Sequence, residues 1–466
     1  MAAAPRVGDG RILGGATATI AAVAAVASGQ VLPVLLLAVA VPVGLAVLRR
    51  PQRGLLLLAA LVPFDGLLLL LPDGGSVAGW KEALVLLVVV GTLVAPVQAR
   101  RSADGRRPGW LPAVAAFAVL GLVSALVVGG DQGALGAKIG LFYLLVAFAA
   151  WRCPLDGRER DRLVTILMVA GVVTAVYGIA QQLLGAERLH ELGYEYNTTI
   201  RFAGGYLRSF STFVQPFPFG FFLMLVLLLG IPQVLEEPRR VRNQLFAVAT
   251  PVLALGLASS VVRGAWLGLA VGLLYLAATR YRVLLLALPV ALVAFAFLPA
   301  QTTGVALSAT SSEERVTGWS DNVARLVAHP LGEGIGAVGA PAERVHEERG
   351  APPSTAYQPD NYFVKTGIEL GVLGLWLFTL VLVAALGAAH RAARATGRDG
   401  PLGAGTAAYV LAATAASTVS TFFEIFPLEL YFWLLLSVVT GLTVSVATAN
   451  DRAPALLRPA PSRALA

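Results

Sequence analysis

The sequence predicts an all-α fold, a polytopic transmembrane bundle of about fourteen spans, and three observations predict it. Hydrophobic residues fill 57% of the 466 positions and charged residues only 13%, with a mean hydropathy of +0.75, whereas a soluble domain carries about 25% charge. The apolar residues form continuous Leu/Val/Ala blocks of roughly 16–22, long enough to cross hydrocarbon as helices and lacking the alternation of barrel strands. Basic residues gather in every second connection. Lipid cannot satisfy open backbone groups, so unbroken blocks of this length resolve as helices.

The expected spans are 12–28, 31–48, 54–71, 81–98, 110–129, 135–151, 163–184, 213–231, 244–260, 264–279, 283–299, 366–389, 402–422 and 428–448. Arg6 and Arg11 precede the first block, which has no convincing cleavage site and reads as a retained span. The basic loops carry Arg49, Arg50 and Arg53; Arg100, Arg101, Arg106 and Arg107; Arg152, Arg158, Arg160 and Arg162; Arg239, Arg240 and Arg242; Arg280 and Arg282; and Arg391, Arg394 and Arg398. With fourteen spans all of these fall on one side. The positive-inside rule makes that side the cytoplasm of a bacterial cell, with both termini there. The chain then divides into helices 1–11 over 1–299, with an outer loop at 185–212. A large extracytoplasmic loop follows at 300–365, then helices 12–14 over 366–448, then a Pro/Ala/Arg-rich tail at 449–466 expected to be disordered.

A loop as long as 300–365 is uncommon unless it has work to do. Within it Ser311 to Glu314 reads as a capping box. Val316, Trp319, Val323, Leu326 and Val327 then recur at helical spacing until Pro330, which predicts an amphipathic helix on the membrane surface. GEGIGAVG at 332–339 is superficially like a dinucleotide fingerprint, but it follows a helix rather than a strand and reads as a turn.

The net charge of +8 does not indicate nucleic-acid binding, because the arginines sit in short loops where orientation explains them. Cys153 is alone, so no disulfide framework is expected. No HExxH, paired Asp motif or Cys/His cluster appears, so neither a metal nor another cofactor is expected. No Gly-rich nucleotide loop is followed by Lys, which argues against cytoplasmic ATP chemistry.

The informative residues are outer-side cations. Arg201 and Arg208 lie in the first outer loop, and Arg263 sits in the tight turn of SSVVRGAW. An Arg near a helix end either snorkels to headgroups or meets an anion, and its planar fork suits phosphate. Tyr194, Tyr196 and Tyr206 read as interface-belt aromatics. Asp65, beside Pro63 and Gly66, is nearly the only charge inside a span and marks either a transport path or the cap of a broken helix. At the far end of the large loop stand Asp360, Asn361 and Tyr362, followed by Lys365 and Glu369 at pairing distance along a helix. Asp360 reads as a general base, as the N-cap of the twelfth span, or as both. His346 is the other base in this loop, or a plain surface residue. His329 precedes Pro330 and reads as structural, His190 lies in the first outer loop without partners, and His390 is cytoplasmic.

Four stretches carry a resemblance: RFAGGYLRSFSTFVQPFPFGFFL (201–223), SSVVRGAWLGL (259–269), RVTGWSDNVARLVAHPLGEGIG (315–336) and DNYFVKTGIELGVLGLWLF (360–378). Their order and placement resemble the O-antigen ligase and polymerase superfamily of bacterial membrane glycosyltransferases, over roughly 160–440. The resemblance implies a GT-C-type fold with a large outer loop and a donor glycan on undecaprenyl pyrophosphate. It also implies metal-free, inverting transfer to a glycan, glycolipid or protein acceptor on the outer face. It makes Arg201 and Arg263 the arginines that hold pyrophosphate, with Arg208 and Arg315 as further cations and Asn361, Tyr362 and Glu369 in support. Ligases place a His where this chain has Asp360, which leans toward polymerase-type members. The rival reading is a secondary transporter of a small or anionic solute. Transporters crowd ionisable residues and broken helices near the midplane, whereas here the ionisable residues crowd the outer side.

Overall fold

The computed structural model describes residues 31–71, 78–94, 107–196, 199–286, 322, 324–350, 359–395, 397 and 399–452. The chain order is α1 (Val31–Arg49), α2 (Pro51–Leu61, continued as a 3-10 run over Val62–Leu70), α3 (Trp80–Val94), α4 (Leu111–Val128), α5 (Gly130–Leu141), α6 (Leu144–Arg152) and α7 (Gly157–Glu191). Then come β1 (Arg201–Ala203), β2 (Tyr206–Arg208), α8 (Pro216–Glu236), α9 (Val241–Ser259) and α10 (Arg263–Thr279). After these are α11 (Ala340–Glu348), α12 (Tyr362–Ala393), α13 (Asp399–Ala416) and α14 (Leu428–Arg452).

Among the described residues six helices are long and apolar enough to cross a bilayer: Pro51–Leu70, Leu111–Val128, Gly157–Glu191, Pro216–Glu236, Val241–Ser259 and Tyr362–Ala393. The expected single span at 135–151 is a pair of helices, α5 and α6, bent by 44°. Ala40–Arg49, α10 and Leu428–Gly441 are shorter apolar helices. The block at 12–28, residues 287–299 of the eleventh expected span, the proposed capping box, Arg315, Val316, Trp319, Val323 and the end of the tail lie outside the described residues. Of the amphipathic helix, 324–328 is helical and ends before His329 and Pro330.

The core is α8, whose Phe219 to Leu229 are all buried. Around it pack α7, α9, α10 and α13. Small residues let these backbones close in, the usual device where lipid offers no hydrophobic gain. On α10 a Cβ built at Gly268 would stand 3.0 Å from the Ala412 carbonyl of α13, and one at Gly272 would stand 3.2 Å from that of Ala408. The outside is a belt of large exposed apolar side chains, Leu126, Leu183, Leu245 and Val248 among them. That is a lipid-facing surface, since soluble monomers rarely expose such a patch.

Ion pairs draw the basic connections to one end of the bundle. Arg160 pairs with Asp399 at 3.0 Å, Arg242 with Asp161 at 2.8 Å, and Arg280 with Glu236 at 2.7 Å. Arg280 Nη1 also donates to the Ala393 carbonyl at 2.6 Å. The opposite end holds the hairpin β1–β2, the turn between α9 and α10, residues 329–350 and 359–362, and the connection from α13 to α14.

Several expectations change here. The 185–212 stretch is not a plain loop: α7 continues through a break at Gly185 (φ 75°) to Glu191, and β1–β2 adds a two-stranded sheet to an otherwise helical fold. Tyr194 is buried rather than interfacial, its hydroxyl 3.1 Å from that of Tyr177 and its ring 4.9 Å from Phe210. His190 has partners: Nδ1 lies 3.1 Å from the Tyr194 carbonyl, and its ring lies tilted against that of Tyr196, 4.9 Å between centroids. Asp65 accepts from Trp80 Nε1 and Lys81 Nζ, both at 2.7 Å, so it braces the α2–α3 connection. Nor is it nearly alone, for Lys365, Glu369 and Glu429 are buried in helices read as apolar.

Candidate functional site

Two glycines at positive φ, Gly204 (57°) and Gly205 (79°), make the two-residue connection that a tight hairpin needs. The resulting register sets Arg201 directly opposite Arg208. Like charges so placed oppose the hairpin, so other bonds must hold it. Gln182 Nε2 of α7 donates to the Leu207 carbonyl at 2.9 Å. Gln181 Oε1 accepts from the backbone N–H of Phe210 (3.1 Å) and Ser211 (2.7 Å), and Gln181 Nε2 donates to the Ser211 carbonyl at 3.0 Å. Ser209, Ser211 and Thr212 each send a hydroxyl to a backbone carbonyl, of Gly178, Thr174 and Pro63. The strand end is thus bolted to the interior of α7 and α2.

The hairpin docks on the α9–α10 turn. Ser209 N donates to the Ser259 carbonyl at 3.0 Å, and Arg208 Nε donates to that of Ser260 at 3.2 Å. The Arg208 guanidinium lies over the Phe217 ring, 4.7 Å from its centroid. Val261 in this turn has φ 51°, and Ser211 has φ 55°. A β-branched residue in the left-handed region is a strained position, of the kind that collects at working sites. Arg263 is the first residue of α10. A cation there faces the positive end of the helix dipole, where an anion is the favoured guest.

Three guanidinium groups therefore converge at one end of the bundle. Burial, then the nearby charges of Arg201 and Arg263, push the Arg208 guanidinium down to about 10, still charged at neutral pH. Burial lowers Arg201 too, and Glu343 on the first turn of α11 works against that effect. Arg201 Nε is buried with no hydrogen-bond partner among the described residues. Planar forks in partly desolvated surroundings suit a phosphate group.

Beside it lies a joint between the Gly-rich turn and α12. GEGIGAVG is a turn, with Gly332, Gly334, Gly336 and Gly339 all at positive φ. Glu333 N donates to the Ile368 carbonyl (2.8 Å), Gly334 N to that of Glu369 (2.9 Å), Gly336 N to Glu369 Oε1 (2.8 Å), and Val372 N to the Pro330 carbonyl (3.0 Å). The acceptors are free because α12 breaks at Gly371 (φ 67°). Backbone presses on backbone: a Cβ at Gly332 would stand 2.4 Å from the Glu369 carbonyl, and one at Gly371 would stand 2.3 Å from that of Pro330. Gly332→Ala is expected to cost at least about 1–3 kcal/mol from its left-handed backbone alone, before the clash, and to appear as lost folded yield in size-exclusion chromatography.

Lys365 does pair with Glu369, as its spacing predicts, and the structure adds a second acid. Glu424, in the turn between α13 and α14, stands 3.1 Å from Lys365 Nζ. The angle is poor, since neither Glu424 oxygen makes a directed hydrogen bond among the described residues. Burial pushes the Glu424 carboxyl up, and Lys365 opposes that.

The predicted site residues separate as follows. Arg201, Arg208 and Arg263 come together, and Arg315 lies outside the described residues. Glu369 and Tyr362 are buried, Tyr362 among Phe378 and Phe423. Asp360 is exposed at the head of α12. It is not the cap: Asn361 holds that place, its Oδ1 accepting from Phe363 N (2.9 Å) and Val364 N (3.2 Å). The extended backbone of Asn361 (φ −157°, ψ 118°) sets the cap one residue later than read from the sequence. Asn361→Ala is expected to cost about 1 kcal/mol, measurable as a lower thermal midpoint. His346 is half-buried on α11, one turn past Glu343. The heads of α10 and α12 share a support: Tyr362 N donates to the Ser417 carbonyl at 2.8 Å, and a Cβ at Gly264 would stand 3.4 Å from Val419. A cavity of about 180 Å³ opens beside Asn361, walled by Asn322, Leu326, Phe363 and Val364. Among the described residues no cluster of His, Cys, Asp and Glu has the geometry to hold a metal.

Gln181, Gln182, Glu343 and Glu424 were not singled out from the sequence. The Gly204–Gly205 pair between RFA and YLR was a readable hairpin signal. The acids carry no local one, because their partners are distant in the chain.

Residues 246–379 match the family model described as O-antigen ligase. The match includes Arg263, the Gly-rich joint and Asp360, and it bears out the resemblance read from the sequence. No curated protein matches the chain.

Proposed function

We propose that this O-antigen ligase-type membrane protein moves a glycan from an undecaprenyl-pyrophosphate carrier to an acceptor hydroxyl on the outer face of the cytoplasmic membrane. The observation that supports it most is the convergence of Arg201, Arg208 and Arg263 at one end of the bundle. In this reading about fourteen spans place both termini in the cytoplasm, and the large 300–365 loop is extracytoplasmic.

The chemistry asks little of the protein, because a lipid diphosphate is a good leaving group. As the glycosidic C–O bond breaks, negative charge grows on the departing oxygen. Preplaced guanidinium groups in partly dry surroundings stabilise that charge more in the transition state than in the ground state. The acceptor hydroxyl attacks from the opposite face with inversion. Asp360, exposed at the head of α12, takes its proton, and His346 is the other candidate base. No metal takes part in the scheme. The acceptor is a glycan, glycolipid or protein.

Purified protein in nanodiscs, given undecaprenyl-pyrophosphate-linked oligosaccharide and an acceptor glycan, is expected to release undecaprenyl pyrophosphate and form the joined glycan in the presence of EDTA. Uptake of an anionic solute into proteoliposomes, with no transfer, would instead support a transporter.

A further inference from the structure

A groove of about 430 Å³ runs down the outside of the bundle between α2 and α7. Its walls are apolar, with Ala60 and Phe64 on one side and Ile166, Val169 and Val173 on the other, and Arg162 stands at its mouth. Arg162 is exposed and makes no ion pair or hydrogen bond among the described residues. Its neighbours at the same end differ: Arg160 is paired with Asp399, and both Arg240 and Arg242 with Asp161. From Arg162 to Val173 the helix rises about 16 Å at 1.5 Å per residue, close to half of a hydrocarbon core about 30 Å thick. The groove is therefore one leaflet deep, and its cation lies where that leaflet's headgroups lie.

We propose that this groove is a specific site for an anionic phospholipid of the leaflet at the Arg-rich end, its phosphate on Arg162 and one acyl chain between Phe64 and Val169. The geometry supplies both halves of the recognition. A guanidinium without a protein acid binds phosphate through its fork, and basic groups beside grooves between spans bind anionic headgroups. The site is separate from the arginine cluster, which lies at the opposite end. Filling it would brace α7, the helix whose Gln181 and Gln182 hold the hairpin.

The test is native mass spectrometry of the full chain released from detergent with equal amounts of phosphatidylglycerol and phosphatidylethanolamine. One retained phosphatidylglycerol per chain is expected. Arg162→Gln should lower its preference over phosphatidylethanolamine by about fivefold, the effect of one basic residue at an anionic surface. Val169→Trp, which fills the groove, should abolish retention of both lipids. Leu245→Trp, at an exposed position on α9, is the fold control and should keep the lipid. Equal retention in the parent, Arg162→Gln and Val169→Trp would mean unselective boundary lipid and would overturn the proposal. So would displacement of phosphatidylglycerol by undecaprenyl phosphate at equimolar concentration, which would give the groove to the carrier's tail.

Discussion

Arg263→Ala is expected to lower glycan transfer by about 10²–10³-fold, the loss that follows removal of one preplaced donor at a developing anion, while the purified protein still folds and keeps a cooperative melting transition. In the resting protein Arg263 stands at the positive end of α10 and beside Arg208, whose charged form its own charge disfavours. Its removal relieves the repulsion on Arg208, and a loss of turnover in a sample that still melts cooperatively separates a role in transfer from a role in folding. Lys at this position keeps the charge but loses the fork, so it should restore binding in part and turnover poorly. The assay is transfer from a lipid-linked oligosaccharide, with a melting curve on the same sample. Full activity in Arg263→Ala would remove the clamp from the mechanism.

Lys365→Met is expected to cost about 3–5 kcal/mol, because two acids would be left buried without their base. Lys365, Glu369 and Glu424 have side chains only 6%, 5% and 3% exposed, so solvent cannot take over. SDS-driven unfolding in mixed micelles should show the loss. Adding Glu424→Gln to Lys365→Met should recover part of it, since one fewer buried carboxyl then needs a proton. If the single variant unfolds at the parental SDS fraction, the triad is not holding the joint. Activity should fall with stability in this series, unlike in the Arg263 series.

The apolar blocks were legible because a span must satisfy its backbone by itself, and six described helices fall on them. Breaks inside blocks were not legible. The bend between α5 and α6, the kink at Gly371 and the run of α7 past Gly185 depend on what packs against them. The arginines could be picked out singly, since a cation on the acidic side needs a reason. Their meeting could not, because the register Arg201 to Arg208 comes from a hairpin turn and its dock from two glutamines on another helix. Lys365 and Glu369 were readable at helical spacing, whereas Glu424 lies more than fifty positions on and reaches Lys365 only through the packing of α12 on α14. The cap moved from Asp360 to Asn361 because both residue types favour that place and only the backbone angles decide.

The crossed glycines at 332 and 371 also have a genetic consequence. At each position an added methyl group meets a main-chain atom of the other segment, and no neighbouring side chain can be trimmed to make room. A selection for revertants of Gly371→Ala should therefore return glycine at the same codon, or small insertions and deletions that reset the crossing. Second-site missense suppressors should be missing from the harvest.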